Sequence, residues 1–318
     1  MTKLVAAEEQ RLLVKVSKMY YEEDLTQDVI MDRLKLSRSK VSRLLDQARR
    51  SGIVRITVIN PRGIYSDLEL KLEKHFHMQE AVVVEANESD SQESINRQLG
   101  IAAANYLRRT IKDNDIIGVS WGSTLNNMVG SMQPLETHGV QVVQIIGGLG
   151  QPESEVHATD LCRRMARYLS SRLTLLPAPG IVNSELTKEA FLSDIHVQKA
   201  QDMFGKLDVA YVGIGAPTPN SFMMQDGSII SQAELDDLLG KGAVGDIALR
   251  FFDACGLSVP SEVDPRVIGI TLEQLVKVKC VVGVAGGPEK SEGAAASLSR
   301  VACTWGLRSG MQMTVRRS

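Results

Sequence analysis

The chain has 318 residues, enough for two or three domains with a sizeable core. Its 43% hydrophobic and 23% charged residues are the balance of a soluble globular protein rather than a disordered or fibrous one. No run of 18 apolar residues exists and the opening MTKLVAAEEQ lacks the apolar core of a signal peptide, which excludes a membrane span and makes the cytoplasm the expected location.

In chain order, residues 8–22 place Leu12, Leu13, Val16, Met19 and Tyr20 at helical spacing. Residues 25–58, LTQDVIMDRLKLSRSKVSRLLDQARRSGIVRITV, then predict a helix, a three-residue turn, a second helix and a strand. In the second helix Val41, Leu44, Leu45 and Ala48 form one apolar stripe, and Ser39, Arg43, Asp46 and Arg50 project from the opposite side. Ser37 is the expected N-cap and Gly52 the residue that ends the helix. This is the pattern of a helix-turn-helix, a motif that points the start of its second helix into the DNA major groove. Arg38, Ser39, Lys40, Ser42 and Arg43 are therefore the candidate base and phosphate contacts, with Asp46 expected to pair with Arg50 or Arg43.

Charge supports that reading against the alternative of an ordinary solvated helix. From Arg33 to Arg50 there are seven Lys/Arg and one acid. Residues 1–62 carry 13 Lys/Arg against 8 Asp/Glu, a formal +5; the whole chain is −2, so the remainder is −7. A cationic head on an acidic body suits attraction to phosphate. One residue runs against the motif. Lys35 stands in the turn where glycine is usual, and a left-handed conformation there costs a non-glycine residue roughly 1 kcal/mol.

Residues 66–77 (SDLELKLEKHFH) predict a charged linker helix with Leu68, Leu72 and Phe76 on one stripe, free to dock on the body or on another subunit. His75 and His77 lie two apart and so face different ways, and Cys162, Cys255, Cys280 and Cys303 lack C-x-x-C spacing; neither metal nor disulfide is expected. From residue 80 the rhythm becomes alternating. Apolar runs at 81–84, 115–120, 140–147, 173–179, 208–215, 266–271 and 279–287 are separated by helical segments near 92–110, from 122, near 155–171, near 187–205 and from 288. Strands apolar on both faces, separated by helices, predict a parallel sheet covered on both sides: an α/β, doubly wound, Rossmann-like domain.

Ligands of such sheets sit beyond the carboxyl ends of the strands. Four Gly-rich loops fall there: GVSWGST (118–124), IIGGLG (145–150), VGIGAP (212–217) and VAGGPEK (284–290). Each taken singly is also a tight turn between strand and helix. Together they suggest an anion cradle, with Gly122 admitting a close approach, Ser123 and Thr124 offering hydroxyls and amides, and Lys290 a point charge. In GAVGDIALRFFDACG (242–256) Asp246 stands beside an apolar run, where an acid needs a partner: a sugar hydroxyl, or the amides of a turn it caps. Gln144 ends its strand near the same edge.

The segments LTQ, SRSKVSRLL and GIV, followed by GVSWGST, LPAP, VGIGA, GAVGDI and VGVAGG in this order, resemble the SorC-type transcription factors, the sorbitol-operon regulators within the broader deoxyribonucleoside-regulator grouping. The resemblance runs from about residue 8 to about residue 290. It implies a helix-turn-helix joined to a sugar-binding domain related to sugar-phosphate isomerases and deaminases, in a homo-oligomer, dimer or tetramer, whose affinity for operator DNA responds to a phosphorylated sugar. It further implies phosphate contacts at Gly122, Ser123, Thr124 and Lys290, a sugar-hydroxyl contact at Asp246, and a pocket lined by Gln144, Gly147 and Gly148. The expected layout is residues 1–60 for DNA, 61–79 as linker helix and 80–318 for the effector.

Two departures accompany the resemblance. Met31 occupies a small position of the first motif helix, beside the unusual Lys35. Residues 293–318 hold no Asp or Glu although the chain has 38, and their Arg, Ser, Cys and Trp content reads like a shifted frame, which predicts an incomplete sheet edge. The rival reading is an isomerase- or deaminase-like enzyme with a DNA-binding extension. It would need a base beside Asp246, for which His157 is poorly spaced, or a Schiff-base lysine where Ile146 stands. No catalytic residue and no cofactor are expected.

Overall fold

The computed structural model describes residues 8–61, 63–87, 89–148, 158–219, 221, 224, 229–287, 290, 293, 295, 296 and, for the backbone, 2–7 and 310–314. The chain divides into two units, Met1–Pro61 and Arg62–Ser318. No helix among the described residues is long and apolar enough to cross a membrane.

The small unit consists of α1 (Thr2–Tyr21), α2 (Gln27–Leu34) and α3 (Arg38–Arg50). The stripe read from sequence is its core: Val41, Leu44, Leu45 and Ala48 are buried against Leu13, Val16, Met19 and Ile30. Thr26 caps α2 by accepting from the Val29 amide, and Ser37 caps α3 by accepting from the Lys40 amide at 3.2 Å. Lys35 takes the left-handed conformation that the turn demands, at φ 53° and ψ 44°. Leu34, Leu36 and Met31 pack against the core on either side of it, which offsets the strain. The strand expected from Ile53 is absent. Val54 donates back to the Ala48 carbonyl, while Ile56, Val58 and Ile59 are 63%, 82% and 84% exposed. Alternation alone makes no strand when no neighbouring backbone supplies a ladder.

The large unit is built, among the described residues, on a seven-stranded sheet in the order β1-β9-β8-β5-β2-β3-β4. The strands are β1 (Glu80–Val84), β2 (Ile116–Val119), β3 (Gln141–Gln144), β4 (Arg172–Thr174), β5 (Val209–Gly213), β8 (Cys280–Ala285) and β9 (Gly310–Thr314), with β6 (Ala243–Ile247) and β7 (Arg250–Asp253) forming a separate hairpin. Every pairing in the large sheet is parallel. Residues alternate between two cores. Ile117, Val119, Val142 and Tyr211 face one, with α5 (Gln92–Thr110), α6 (Ser123–Gly130) and α7 (Ala158–Tyr168). Val143, Ala210 and Val212 face the other, with α9 (Ile195–Gln201), α10 (Gln232–Gly240) and the β6–β7 hairpin.

Several details depart from the expected alternation. The segment 187–205 is two helices, α8 (Glu185–Leu192) and α9, because Asp194 stops one and caps the next. α10 begins with a capping box, Ser231 and Glu234, a signal legible in SQAE. RVIGIT is not a strand. It runs irregularly, bridging Ile146 through Gly269 and Ile181 through Val267, before α11 (Leu272–Leu275). The buried Arg250 holds it there, donating to the carbonyls of Asp264, Val267, Gly269 and Ile270 and pairing with the Asp264 carboxylate at 2.8 Å. Nor does the tail leave the sheet edge open, since residues 310–314 form β9 between β1 and β8. A ladder asks only for backbone groups, and GMQMT has no proline to remove a donor.

The edge on that side is β1, and α4 (Ser66–His75) covers it. Glu73 and Glu69, one helical turn apart, accept from the Ala81 and Val83 amides, each at 2.9 Å. Leu72 and Phe76 of the linker stripe pack on the body's core. The charged linker thereby satisfies donors that an edge strand would otherwise offer to another chain.

Replacing Arg250 by Ala should leave several buried carbonyls without a donor and lower stability by about 3 kcal/mol or more in urea unfolding. A loss under about 1 kcal/mol would show that this guanidinium does not hold the 264–270 segment.

Candidate functional site

The chain reverses direction across the sheet between β2 and β5. From β2 it builds outward through β3 and β4, then returns to place β5 on the other side of β2 and adds β8 and β9 beyond it. Neighbouring loops diverge at such a point and leave a crevice at the strands' carboxyl ends. A cavity of about 450 Å³ lies there, bounded by residues 121–125 after β2, 213–216 after β5, Asp246 and Ala248 of the hairpin, Lys290, and Gln92 and Asn96 of α5.

The floor is the start of α6. Gly122 has φ 123°, a backbone state closed to other residues, and no side chain caps the helix it precedes. The first intrahelical bond runs from the Asn126 amide to the Gly122 carbonyl, so the amides of the first turn are left pointing outward. Ser123 is exposed beside them. Thr124 is only 3% exposed and its hydroxyl donates to Asn96 Oδ1 at 3.2 Å, so it is the Thr124 amide, more than the hydroxyl, that the cavity sees.

Asp246, 5% exposed, also lines the cavity. Its backbone exchanges two hydrogen bonds with Gly215, and a Cβ at Gly215 would lie 1.9 Å from Asp246 Oδ1, so this approach requires glycine. Oδ2 accepts from the Leu249 amide at 3.1 Å. The turn that presents it holds Ala248 and Leu249 at φ 53° and 61°, both buried and both in the left-handed region without being glycine. Burial pushes the Asp246 carboxyl up to about 6, against the pull of the Leu249 amide and of the Lys290 charge. Ser221 also lines the cavity, and its buried Oγ meets no hydrogen-bond partner among the described residues.

Of the residues predicted for an effector, the structure brings Gly122, Ser123, Thr124, Asp246 and Lys290 together around this cavity. It does not bring Gln144, Gly147 or Gly148 to it. Gln144 is fully buried, donating to the Ile146 carbonyl and accepting from the Thr159 hydroxyl. Gly147 and Gly148 are tied to the Ile268 and Ala178 carbonyls, with Gly147 so close to Pro179 that a Cβ would lie 2.4 Å from its carbonyl oxygen. Those glycines serve close packing of the LPAP loop, the ordinary role of a Gly-rich turn. His157 lies outside the described residues. Sequence reading missed Gln92 and Asn96. The available signal was a polar residue at 96 in register with the buried stripe Leu99, Ala103 and Leu107.

In the small unit, Arg38, Ser39, Ser42 and Arg43 are exposed on α3 and Lys40 is half-buried. Asp46 pairs with Arg50 at 2.6 Å and with Arg49 at 3.8 Å, not with Arg43, so its charge is directed away from the helix start. Arg38 lies 3.7 Å from Asp28, an exposed pair that phosphate can displace at little cost.

Residues 64–305 match the family described as "Putative sugar-binding domain". The chain is 32% identical over 283 residues to the deoxyribonucleoside regulator of Bacillus subtilis (strain 168), covering 89% of this chain and 90% of that protein. It is 32% identical over 289 residues to the sorbitol operon regulator of Klebsiella pneumoniae, again covering 89% and 90%. The crystal structure of the full-length sorbitol operon regulator SorC from Klebsiella pneumoniae superposes with a TM-score of 0.71 at 29% identity, covering 96% of both chains.

Because burial raises the Asp246 value above the roughly 3.9 of an unfolded aspartate, ionisation of this group opposes folding. Its contribution is fully favourable below about pH 4 and is lost as pH rises to about 6, with no further change above. Across that window the wild type should lose stability relative to Asp246→Asn in urea unfolding. Parallel curves for the two proteins would contradict a buried carboxyl at the cavity wall.

Proposed function

The chain belongs to the sugar-binding-domain family of transcriptional regulators that includes the sorbitol operon regulator and the deoxyribonucleoside regulator, and from that premise we propose that its cavity takes a phosphorylated sugar and that α3 reads operator DNA. The protein is a DNA-binding regulator with a sugar effector, not an enzyme. The finer reading rests on one observation: a single cavity is lined by two chemically opposite sets of groups. One set, the uncapped start of α6, the Ser123 hydroxyl and the Lys290 cation, offers donors and positive charge, which a phosphate monoester meets with its oxygens. The other, the Asp246 carboxylate, ionised above about pH 6, accepts from hydroxyl groups. A molecule with an anionic group at one end and hydroxyls at the other satisfies both.

On DNA, Arg38, Ser39, Lys40, Ser42 and Arg43 fall on the outward side of the second helix of a helix-turn-helix, where this motif makes its base and phosphate contacts. Such helices act in pairs about one DNA turn apart, so we take the working form to be a homo-oligomer, dimer or tetramer, on an approximately palindromic operator. The sugar shifts DNA occupancy only by binding one arrangement of that oligomer better than another.

A thermal-shift screen of sugar phosphates against the full chain tests the effector. A ligand at 100 times its Kd should add about 2.7 kcal/mol of stability, and Lys290→Ala should remove most of that gain. Equal stabilisation by the dephosphorylated sugar would overturn the phosphate assignment. On the DNA side, Arg43→Ala should weaken binding to the operator by about 1–3 kcal/mol with helix content unchanged; unaltered affinity would remove Arg43 from the interface.

A further inference from the structure

Asn96 is 93% buried by its 7% exposure, on a helix that contributes nothing else so polar to its core face, and its partners, Gln92, Ser123 and Thr124, are residues that line the cavity. We propose that Gln92 and Asn96 form a hydrogen-bond relay that fixes Ser123 Oγ as a donor toward the effector, so that the cavity selects an oxyanion at that point. The inference rests on the phosphorylated-sugar reading and adds positioning residues to it.

The polarity follows from one end. The Gly286 carbonyl oxygen can only accept, and Gln92 meets it at 3.0 Å, so the group that Gln92 turns there is its NH2. The same Nε2 lies 3.0 Å from Asn96, and its second hydrogen requires an acceptor, Asn96 Oδ1. Oδ1 also receives the Thr124 hydroxyl at 3.2 Å, which fills its second lone pair. The other end of the Asn96 amide is therefore the donor Nδ2, 3.1 Å from Ser123 Oγ. Ser123 accepts that bond, and its own proton turns elsewhere, at an exposed position on the cavity wall. A carbonyl that cannot donate thus sets the orientation of both amides.

Close backbone packing places the relay. A Cβ on Gly100 would lie 2.5 Å from the Asn127 carbonyl carbon, so only glycine lets α5 approach α6 this closely. Gly287, at φ 104°, lies so near Gln92 that a Cβ there would meet Gln92 Oε1 at 2.1 Å. The Lys290 amide donates back to the Gly287 carbonyl, which joins the loop carrying the cation to the same clip. One turn of α5 thus ties together both loops that face an anion. A reversed relay would point lone pairs at the phosphate, and a buried amide cannot leave either end unpaired without cost.

The test uses the full chain and inorganic phosphate as probe, read by isothermal titration with thermal shift as a check on folding. Ser123→Ala removes the donor. Gln92→Met, at an exposed position and without a change of charge, releases the pin at Gly286. Asn96→Asp replaces Nδ2 by an acceptor. Ser123→Ala and Asn96→Asp should each weaken phosphate binding about tenfold or more, and Gln92→Met severalfold. The part of the Gln92→Met loss that runs through Ser123 vanishes once Ser123 is alanine, so the double variant Gln92→Met/Ser123→Ala should bind more tightly than the product of the two single losses. Should Asn96→Asp fail to fold, this cycle carries the test alone. Losses that multiply in the double variant, or wild-type affinity in Gln92→Met, overturn the relay while the phosphate reading stands. A wild type that phosphate does not bind overturns that reading and the relay with it.

Discussion

A helix whose first turn has no capping side chain exposes amides that must find partners, and α6 begins in this way at the point where the sheet reverses. Gly122 is the cause, because its φ of 123° is inaccessible to Ser, Thr, Asp or Asn, the residues that would cap the helix. Much of the surrounding construction follows from keeping that turn open. α5 packs backbone to backbone at Gly100 so that Asn96 reaches Ser123 and Thr124 from the side, leaving the axis of α6 unobstructed. The hairpin β6–β7 brings a carboxylate to the same cavity, with its Oδ2 held by the Leu249 amide and not by the helix start.

Left-handed non-glycine residues stand at two places where the chain presents a group. Lys35 adopts the left-handed state so that α3 leaves the core at the angle of a helix-turn-helix. Ala248 and Leu249 do so in succession beside Asp246, where hairpins usually place Asn and Gly. Apolar packing supplies the compensation, by the half-buried Leu34 and Leu36 in one case and by Leu249 itself, fully buried, in the other. Elsewhere the backbone costs are met by side chains that do nothing for ligand: Arg250 holds the irregular 264–270 segment, and Glu69 and Glu73 close the edge of β1.

Much of this was legible in the sequence because it is local. The stripe in α3, its cap at Ser37 and the strands from 81 to 144 each follow from a period or a capping residue within a few positions. The glycines of GVSWGST and VGIGAP pointed to the cavity because a positive φ or a near-contact leaves a residue-type trace. Gln144, Gly147 and Gly148 carried the same trace for another reason, packing on the LPAP loop, and residue identity does not distinguish the two. The expected strand after Ile53 failed because pairing depends on a neighbour that no local pattern reports. Asn96 went unread because its role lies in partners 27 and 28 positions away. The sheet edge was expected to be incomplete on composition, whereas joining a sheet depends on the backbone.

In the proposed complex the open start of α6 holds a phosphate whose attached sugar reaches Asp246. A crystal structure of the full chain with a stabilising sugar phosphate should show phosphate oxygens within hydrogen-bonding distance of the first-turn amides of α6 and of Ser123 Oγ, with Lys290 alongside and a sugar hydroxyl on the Asp246 carboxylate. A phosphate bound away from that turn, or a sugar lying in the cavity with its hydroxyls on α6 and its phosphate toward Asp246, would contradict that arrangement.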